Sequence, residues 1–139
     1  MSYEEKGTWV YLVVSLLTYV GYVVVVLGRV GDGALVDVPH AGPMLWAIGT
    51  SVVLAVVGRV ALEAVRPSDR HRPDERDREV NRFGEHVAAV VLGAGMVVPL
   101  ALALGEARHF WIANAIYAVF TLWAVVGASV KLVAYRRGF

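Results

Sequence analysis

Four long apolar stretches alternate with shorter polar segments along the chain. They cover about residues 7–28, 41–62, 84–105 and 110–132, and each contains at most one Asp, Glu, Lys or Arg. A helix needs roughly 20 such residues to cross the hydrocarbon core of a bilayer. The pattern therefore predicts an all-α polytopic membrane protein, with four transmembrane helices forming a single domain over residues 1–139.

The polar segment between the second and third stretches, about residues 63–86, predicts an extension of the third helix beyond the membrane. Pro73 and the acidic residues after it are typical of the first turn of a helix, where they complement the positive end of its dipole. No breaker stronger than Gly84 follows before Pro99, where a kink is expected. The acidic residues of this first turn are Asp74, Glu75 and Asp77.

The distribution of basic residues predicts the orientation. Eleven of the 13 Lys and Arg lie in the two tails, in the middle segment or beside them, and only Arg29 and Arg108 lie on the opposite side. Cytoplasmic segments retain an excess of Lys and Arg. We therefore predict a multi-pass protein of the bacterial cytoplasmic membrane with both termini inside. The bacterial source is suggested by eleven Arg against two Lys among many Val, Ala and Gly.

Composition narrows the classes of function. A hydrophobic fraction of 58% and a mean hydropathy of +0.59 favour a membrane protein over a soluble domain of this size. The absence of cysteine excludes disulfides, thiolate metal ligands and a cysteine nucleophile. A net charge of +1 gives no indication of a nucleic-acid partner. Because no nucleophile–base set or phosphate loop is recognisable, we predict a non-enzymatic protein and expect no cofactor.

The charged segment allows three interpretations: a solvated stem, a docking surface or a metal site. Val80, Phe83 and Val87 form an apolar stripe at helical spacing, and such a stripe needs a surface to pack on. A metal site is disfavoured because Glu85 and His86 are adjacent, whereas di-metal bundles use a Glu-x-x-His step. The residues predicted to bind a partner are Asp77, Arg78, Glu79, Arg82, Phe83 and Glu85.

A repeated pattern marks the opposite side of the membrane. Asp37 and His40 precede the second span with the same acid-x-x-His spacing as Glu106 and His109 before the fourth, and residues 55–58 recur as 124–127 at the same offset. The matches suggest a duplicated helical hairpin, whose copies would share an orientation. That symmetry would bring the four side chains together, where they could bind a divalent metal. The alternative is that they cap helices at the lipid headgroups.

Small residues within the spans predict close packing between helices. They recur at intervals of four as Ala47, Ser51 and Ala55, as Ala89 and Gly93, and as Ala124 and Ala128. Together with the apolar stripe, they predict a homodimer in the lipid bilayer.

Several segments resemble a known group of sequences: Met1–Lys6, Asp77–Val80, Arg82–Glu85, His109–Asn114 and Ala134–Phe139. The chain is similar over nearly its whole length to small, uncharacterised four-span integral membrane proteins of actinobacteria. Its Asp-Glu-Arg-Asp-Arg-Glu segment also resembles a wider bacterial membrane family, some of whose members are encoded beside small helix-turn-helix regulators. The resemblance implies no activity and no catalytic residues, and it favours a cytosolic regulatory protein as partner.

The sequence therefore predicts a binding or regulatory role through the charged cytoplasmic helix. The alternative is a small solute or metal-ion carrier, or another ligand-binding membrane protein. A carrier would act as a dimer, because four spans alone enclose little room for a pathway.

Overall fold

The part of the chain that the structure describes folds into five α-helices and a short 3-10 turn. The structure is a computed structural model that describes residues 3–65 and 74–137, and these residues contain no strand. Pro73, where the third helix is predicted to start, lies outside the described residues. So do residues 1–2 and 138–139, which belong to the first and last segments of the resemblance. A 3-10 turn over Leu35–Asp37 precedes the second helix. The helices are α1 (Tyr3–Gly28), α2 (Ala41–Val65), α3 (Glu75–Gly95), α4 (Val97–Leu104) and α5 (His109–Arg137).

The predicted all-α architecture with four spans is confirmed. Helices α1, α2 and α5, and α3 joined to α4, contain 26, 25, 29 and 30 residues respectively, and all four are long and apolar enough to cross a membrane. Each extends beyond its apolar stretch at one end or both. The predicted extension of the third span is present, because α3 begins at Glu75, well before the apolar stretch that starts at Gly84.

The third span is interrupted at Met96, between α3 and α4. Pro99 has no backbone N–H, so the carbonyl of Gly95 loses its usual helical donor. Helical bonding continues around the break, since the Met96 N–H donates to the Leu92 carbonyl and the Leu100 N–H donates to the Met96 carbonyl. The interruption therefore lies three residues before Pro99, which is itself buried, and the kink stays a prediction.

The helices pack in the order α2, α1, α5, α3. Helix α5 contacts α1 on one side and α3 with α4 on the other, whereas α2 packs mainly on α1. Within the described residues, α2 and α3 lack a contact comparable to that between α1 and α5. A two-fold axis that related the hairpin of α1 and α2 to that of α3–α4 and α5 would make the α2–α3 contact equivalent to the α1–α5 contact. The packing is thus unequal, and the hairpin duplication stays a prediction from sequence.

Small residues allow α3 and α5 to approach closely. A Cβ built on Gly127 would lie 3.0 Å from the Cβ of Ala88, and one built on Gly95 would lie 2.8 Å from Cγ1 of Val119. Ala124 and Ala128 are buried in α5, so the small-residue pair predicted there does form a packing surface. The pair of Ala89 and Gly93 is instead exposed on α3.

Aromatic and amide groups join α1 to α5. The rings of Tyr19, Tyr22 and Tyr117 contact one another, and Tyr22 is only 4% exposed. The Tyr22 hydroxyl donates to the side-chain oxygen of Asn114, whose amide nitrogen donates to the Phe110 carbonyl at 2.8 Å. Both polar side chains are thus satisfied among apolar neighbours, where an unpaired group would be costly.

The helices alternate in direction, so the molecule has two distinct ends. The charged end contains Tyr3, Val65, Glu75 and Arg137, where α1 and α3 begin and α2 and α5 finish. The loop end contains residues 29–40 and 105–108, which connect the helices of each hairpin.

Candidate functional site

The first turn of α3 is fixed by a capping box. The Asp74 carboxylate accepts a hydrogen bond from the Asp77 N–H at 2.7 Å, and the Asp77 carboxylate accepts one from the Asp74 N–H at 3.2 Å. These bonds satisfy backbone donors that have no partner within the helix. Asp74 is therefore the N-cap residue and precedes the helix, whereas the sequence predicts it within the first turn.

One face of α3 packs on the last turns of α5. The Tyr135 hydroxyl donates to the Asp77 carboxylate at 2.7 Å, and Asp77 is only 8% exposed. The Arg76 guanidinium donates to the Tyr135 carbonyl at 2.6 Å. Val80 is fully buried and forms a small apolar cluster with Ala134 and Tyr135. This face of α3 is therefore fixed to α5 by both polar and apolar contacts.

The other face of α3 is exposed. Arg78, Glu79 and Arg82 all lie at the surface, and Phe83 is 45% exposed. Glu79, Arg82, Phe83 and His86 line a shallow depression on this side. We define the outward face of α3 as Arg78, Glu79, Arg82 and Phe83. It presents two cations and one anion around an aromatic ring.

The structure divides the residues predicted to bind a partner between these two faces. Asp77 lies on the packed face, so its carboxylate is directed toward Tyr135 and not toward a partner. Arg78, Glu79, Arg82 and Phe83 lie together on the outward face. Glu85 is exposed beside α5, with its carboxylate 4.0 Å from the Lys131 ammonium.

The predicted apolar stripe is divided in the same way. Val80 is buried against α5, Val87 is half-buried and Phe83 remains 45% exposed. Most of the stripe therefore packs within the chain, because α5 continues past the apolar span to Arg137 and lies along α3 there.

At the loop end, the two connecting segments meet. The Arg108 guanidinium lies 2.9 Å from the Asp37 carboxylate, although both side chains are largely exposed. The His40 ring meets Phe110 edge-on, and its Nδ1 lies 3.4 Å from the Val38 carbonyl oxygen. Glu106 adopts a positive φ of 56° in the tight turn before α5.

The four predicted metal ligands line one open depression of about 860 Å³, so the convergence of the two loops is observed. Within residues 3–65 and 74–137, however, no three His, Cys, Asp or Glu side chains form a group that could hold a metal ion. Asp37 is instead 2.9 Å from Arg108, a cation that would compete with a metal for the carboxylate. The contact that Asp37 makes is thus an ion pair, and the metal site stays a prediction from sequence.

A groove at the charged end has no counterpart among the sequence predictions. It has a volume of about 420 Å³ and is lined by residues of α1, α3 and α5 together with Arg59 of α2. Lys131 and Glu85 also line it. Only one signal in the sequence indicated it, namely the single charged residues near the ends of three otherwise apolar spans.

Comparison with protein-family models, curated proteins and solved structures gives no match. The class of protein therefore rests on the fold, whose four helices have the length and composition of a multi-pass membrane protein. The resemblance to small four-span actinobacterial proteins stays a prediction.

Proposed function

We propose that this is a non-enzymatic protein of the bacterial cytoplasmic membrane that acts by binding. In this proposal both termini lie in the cytoplasm, and the outward face of α3 docks a cytosolic regulatory protein. Its functional unit in the bilayer is a homodimer.

The observation that supports docking is the contrast between the two faces of α3. Hydrogen bonds from Tyr135 to Asp77 and from Arg76 to Tyr135 hold the inner face against α5. The outward face is thereby held in a fixed orientation, and in the described structure its side chains remain exposed. A surface that is ordered before binding loses less conformational entropy on association than a mobile one.

The chemistry of the outward face indicates the kind of partner. Arg78, Glu79 and Arg82 suit a surface of complementary and mainly acidic charge, and Phe83 provides an aromatic contact. Arg and aromatic residues carry much of the binding energy at protein interfaces, while complementary charge mainly governs specificity and association rate. We expect the partner to place an apolar pocket over Phe83.

Photocrosslinking in the native membrane tests this proposal. A photoreactive amino acid replaces Glu79 in one variant and Leu54 of α2, which is 45% exposed, in the control. We expect a discrete adduct with a cytosolic protein from position 79 only, and its loss when Arg82→Glu is added. An adduct that forms equally from position 54, or that persists with Arg82→Glu, contradicts the proposal. An adduct containing only this chain assigns the face to the homodimer instead.

A second candidate, a ligand-binding membrane protein, is favoured by the groove at the charged end. It does not depend on the outward face of α3, because different residues line the two surfaces.

A further inference from the structure

The groove at the charged end is built around two basic side chains that each cross a glycine of a neighbouring helix. Arg59 of α2 lies over Gly7 of α1, where an added Cβ would be 3.6 Å from its Nη1. Lys131 of α5 lies over Gly84 of α3, where an added Cβ would be 2.3 Å from its Cγ. At Gly84 a side chain would collide with Lys131, so this glycine allows Lys131 to reach the groove, whereas the distance at Gly7 is an ordinary van der Waals contact.

Each cation has an acidic neighbour that it does not bind tightly. Arg59 lies 3.5 Å from the Glu4 carboxylate, and Lys131 lies 4.0 Å from that of Glu85. Charge-assisted hydrogen bonds are shorter, at about 2.7–2.9 Å. All four groups line the same groove, which therefore presents two positive and two negative charges with bonding capacity left for a ligand.

Most of the uncharged residues that line the groove are apolar. Its lining includes the small residues Gly84, Ala88 and Gly127, with Trp123 at its edge. Trp123 is 36% exposed, so part of its ring faces the surroundings of the helices. A volume of about 420 Å³ lies within the usual range for ligand sites.

We propose that this groove binds one phospholipid whose headgroup carries a phosphate and a primary ammonium group. The phosphate contacts Arg59 and Lys131, the ammonium contacts Glu4 and Glu85, and the start of an acyl chain lies along the small residues toward Trp123. A zwitterionic headgroup matches the balanced charge of the groove better than a purely anionic one. A primary ammonium donates three hydrogen bonds, which a quaternary ammonium cannot do.

Native mass spectrometry of the full chain in mild detergent tests the site. The probes are phosphatidylethanolamine, phosphatidylglycerol and phosphatidylcholine at equal concentration, with soluble glycerophosphoethanolamine as a headgroup without acyl chains. We expect one bound phosphatidylethanolamine per chain and clearly weaker retention of the other three. Equal retention of all three lipids contradicts the proposal, and equal binding of the soluble headgroup shows that no lipid is required.

Variants locate the binding. Lys131→Met and Arg59→Met keep long apolar side chains but remove one charge each, and each should weaken phosphatidylethanolamine binding about tenfold, as expected for one lost charge-assisted hydrogen bond. Glu85→Gln should weaken phosphatidylethanolamine binding without weakening that of phosphatidylglycerol. Arg137→Met is the matched control, because Arg137 is an exposed cation in the last turn of the same helix.

The remaining outcomes also decide the question. Unchanged lipid binding in both Lys131→Met and Arg59→Met overturns the site, provided that the melting temperatures match that of the parent. If either variant unfolds, Gly84→Ala provides the second test. The added Cβ displaces the Lys131 side chain, while the substitution leaves every charge of the groove in place. Retained selectivity in Gly84→Ala also overturns the proposal. A dimer whose formation excludes the lipid shows that a second copy fills the groove.

Discussion

Helices α2 and α5 are both long and apolar, but they occupy different positions in the molecule. Helix α5 contains nine buried residues, whereas α2, which the structure describes in full, contains none. Leu45 and Trp46 of α2 are 70% and 79% exposed. The apolar character of a helix predicts that it can enter a bilayer, since lipid covers apolar side chains as well as protein does. It does not predict how many neighbouring helices it will have.

The contacts of α2 are confined to one side. Gly58 lies against Val10 of α1, where an added Cβ would be 2.5 Å from Cγ1. Near the charged end, Tyr3 of α1 donates to the Glu63 carboxylate at 2.9 Å. Helix α5 instead contacts α1 and α3 along most of its length, so we expect substitutions in α5 to affect folding more than equivalent ones in α2.

The largest difference should come from enlarging a glycine in each helix. Gly127→Leu inserts a side chain where a Cβ alone would already lie 3.0 Å from Ala88, while no described atom lies within 4 Å of a Cβ at Gly49. Overpacking of this kind costs about 1–3 kcal/mol. We expect a marked fall in the melting temperature for Gly127→Leu and little change for Gly49→Leu, measured in lipid nanodiscs. Equal effects would show that α5 is no more central than α2.

Two Tyr→Phe substitutions compare the same chemistry in the two environments. Tyr135→Phe removes one of the two hydrogen bonds donated to the buried Asp77 carboxylate and leaves its second oxygen bonded to the Asp74 N–H, at a cost of about 1–3 kcal/mol. Tyr3→Phe removes the hydroxyl that donates to half-buried Glu63, where water can replace it, so a smaller loss of stability is expected. Thermal unfolding of both variants measures the difference. A larger loss for Tyr3→Phe would contradict this ranking.

The smallest effect is expected at the loop end. Arg108→Ala breaks the ion pair with Asp37, which joins the segment before α2 to the start of α5. Because both side chains are largely exposed, the loss should be about 0–1 kcal/mol and should shrink further in high salt. Unfolding at low and high ionic strength checks this. A loss that is large and independent of salt would mean that the loop end holds α2 in place.

The spans and the α3 extension could be predicted from sequence because they depend on local properties. Apolar length gave the four helices, and Pro73 with the acidic residues after it gave the start of α3 to within two residues. The small pair of Ala124 and Ala128 was also identified correctly as a packing surface. The spans and the start of α3 are determined by residues close together in the chain.

Features that depend on distant residues could not be predicted in the same way. The charged segment predicts Asp77 as a partner-binding residue, but its environment is set by Tyr135, 58 residues away. Likewise, Arg59 and Glu4 meet only because α1 and α2 pack as they do. The predicted metal ligands do share one depression, yet Arg108 was not recognised as the partner of Asp37.

The central claim is that the outward face of α3 lies in the cytoplasm, and cysteine labelling in intact cells tests it most directly. The chain has no native cysteine, so each introduced thiol is the only one present. Glu79→Cys places it on the outward face of α3, and Gly33→Cys places it at the loop end. With an impermeant reagent we predict labelling at position 33 alone, and at position 79 only after the cells are permeabilised. Labelling of position 79 in intact cells, with position 33 protected, would contradict the orientation and the proposed docking of a cytosolic protein.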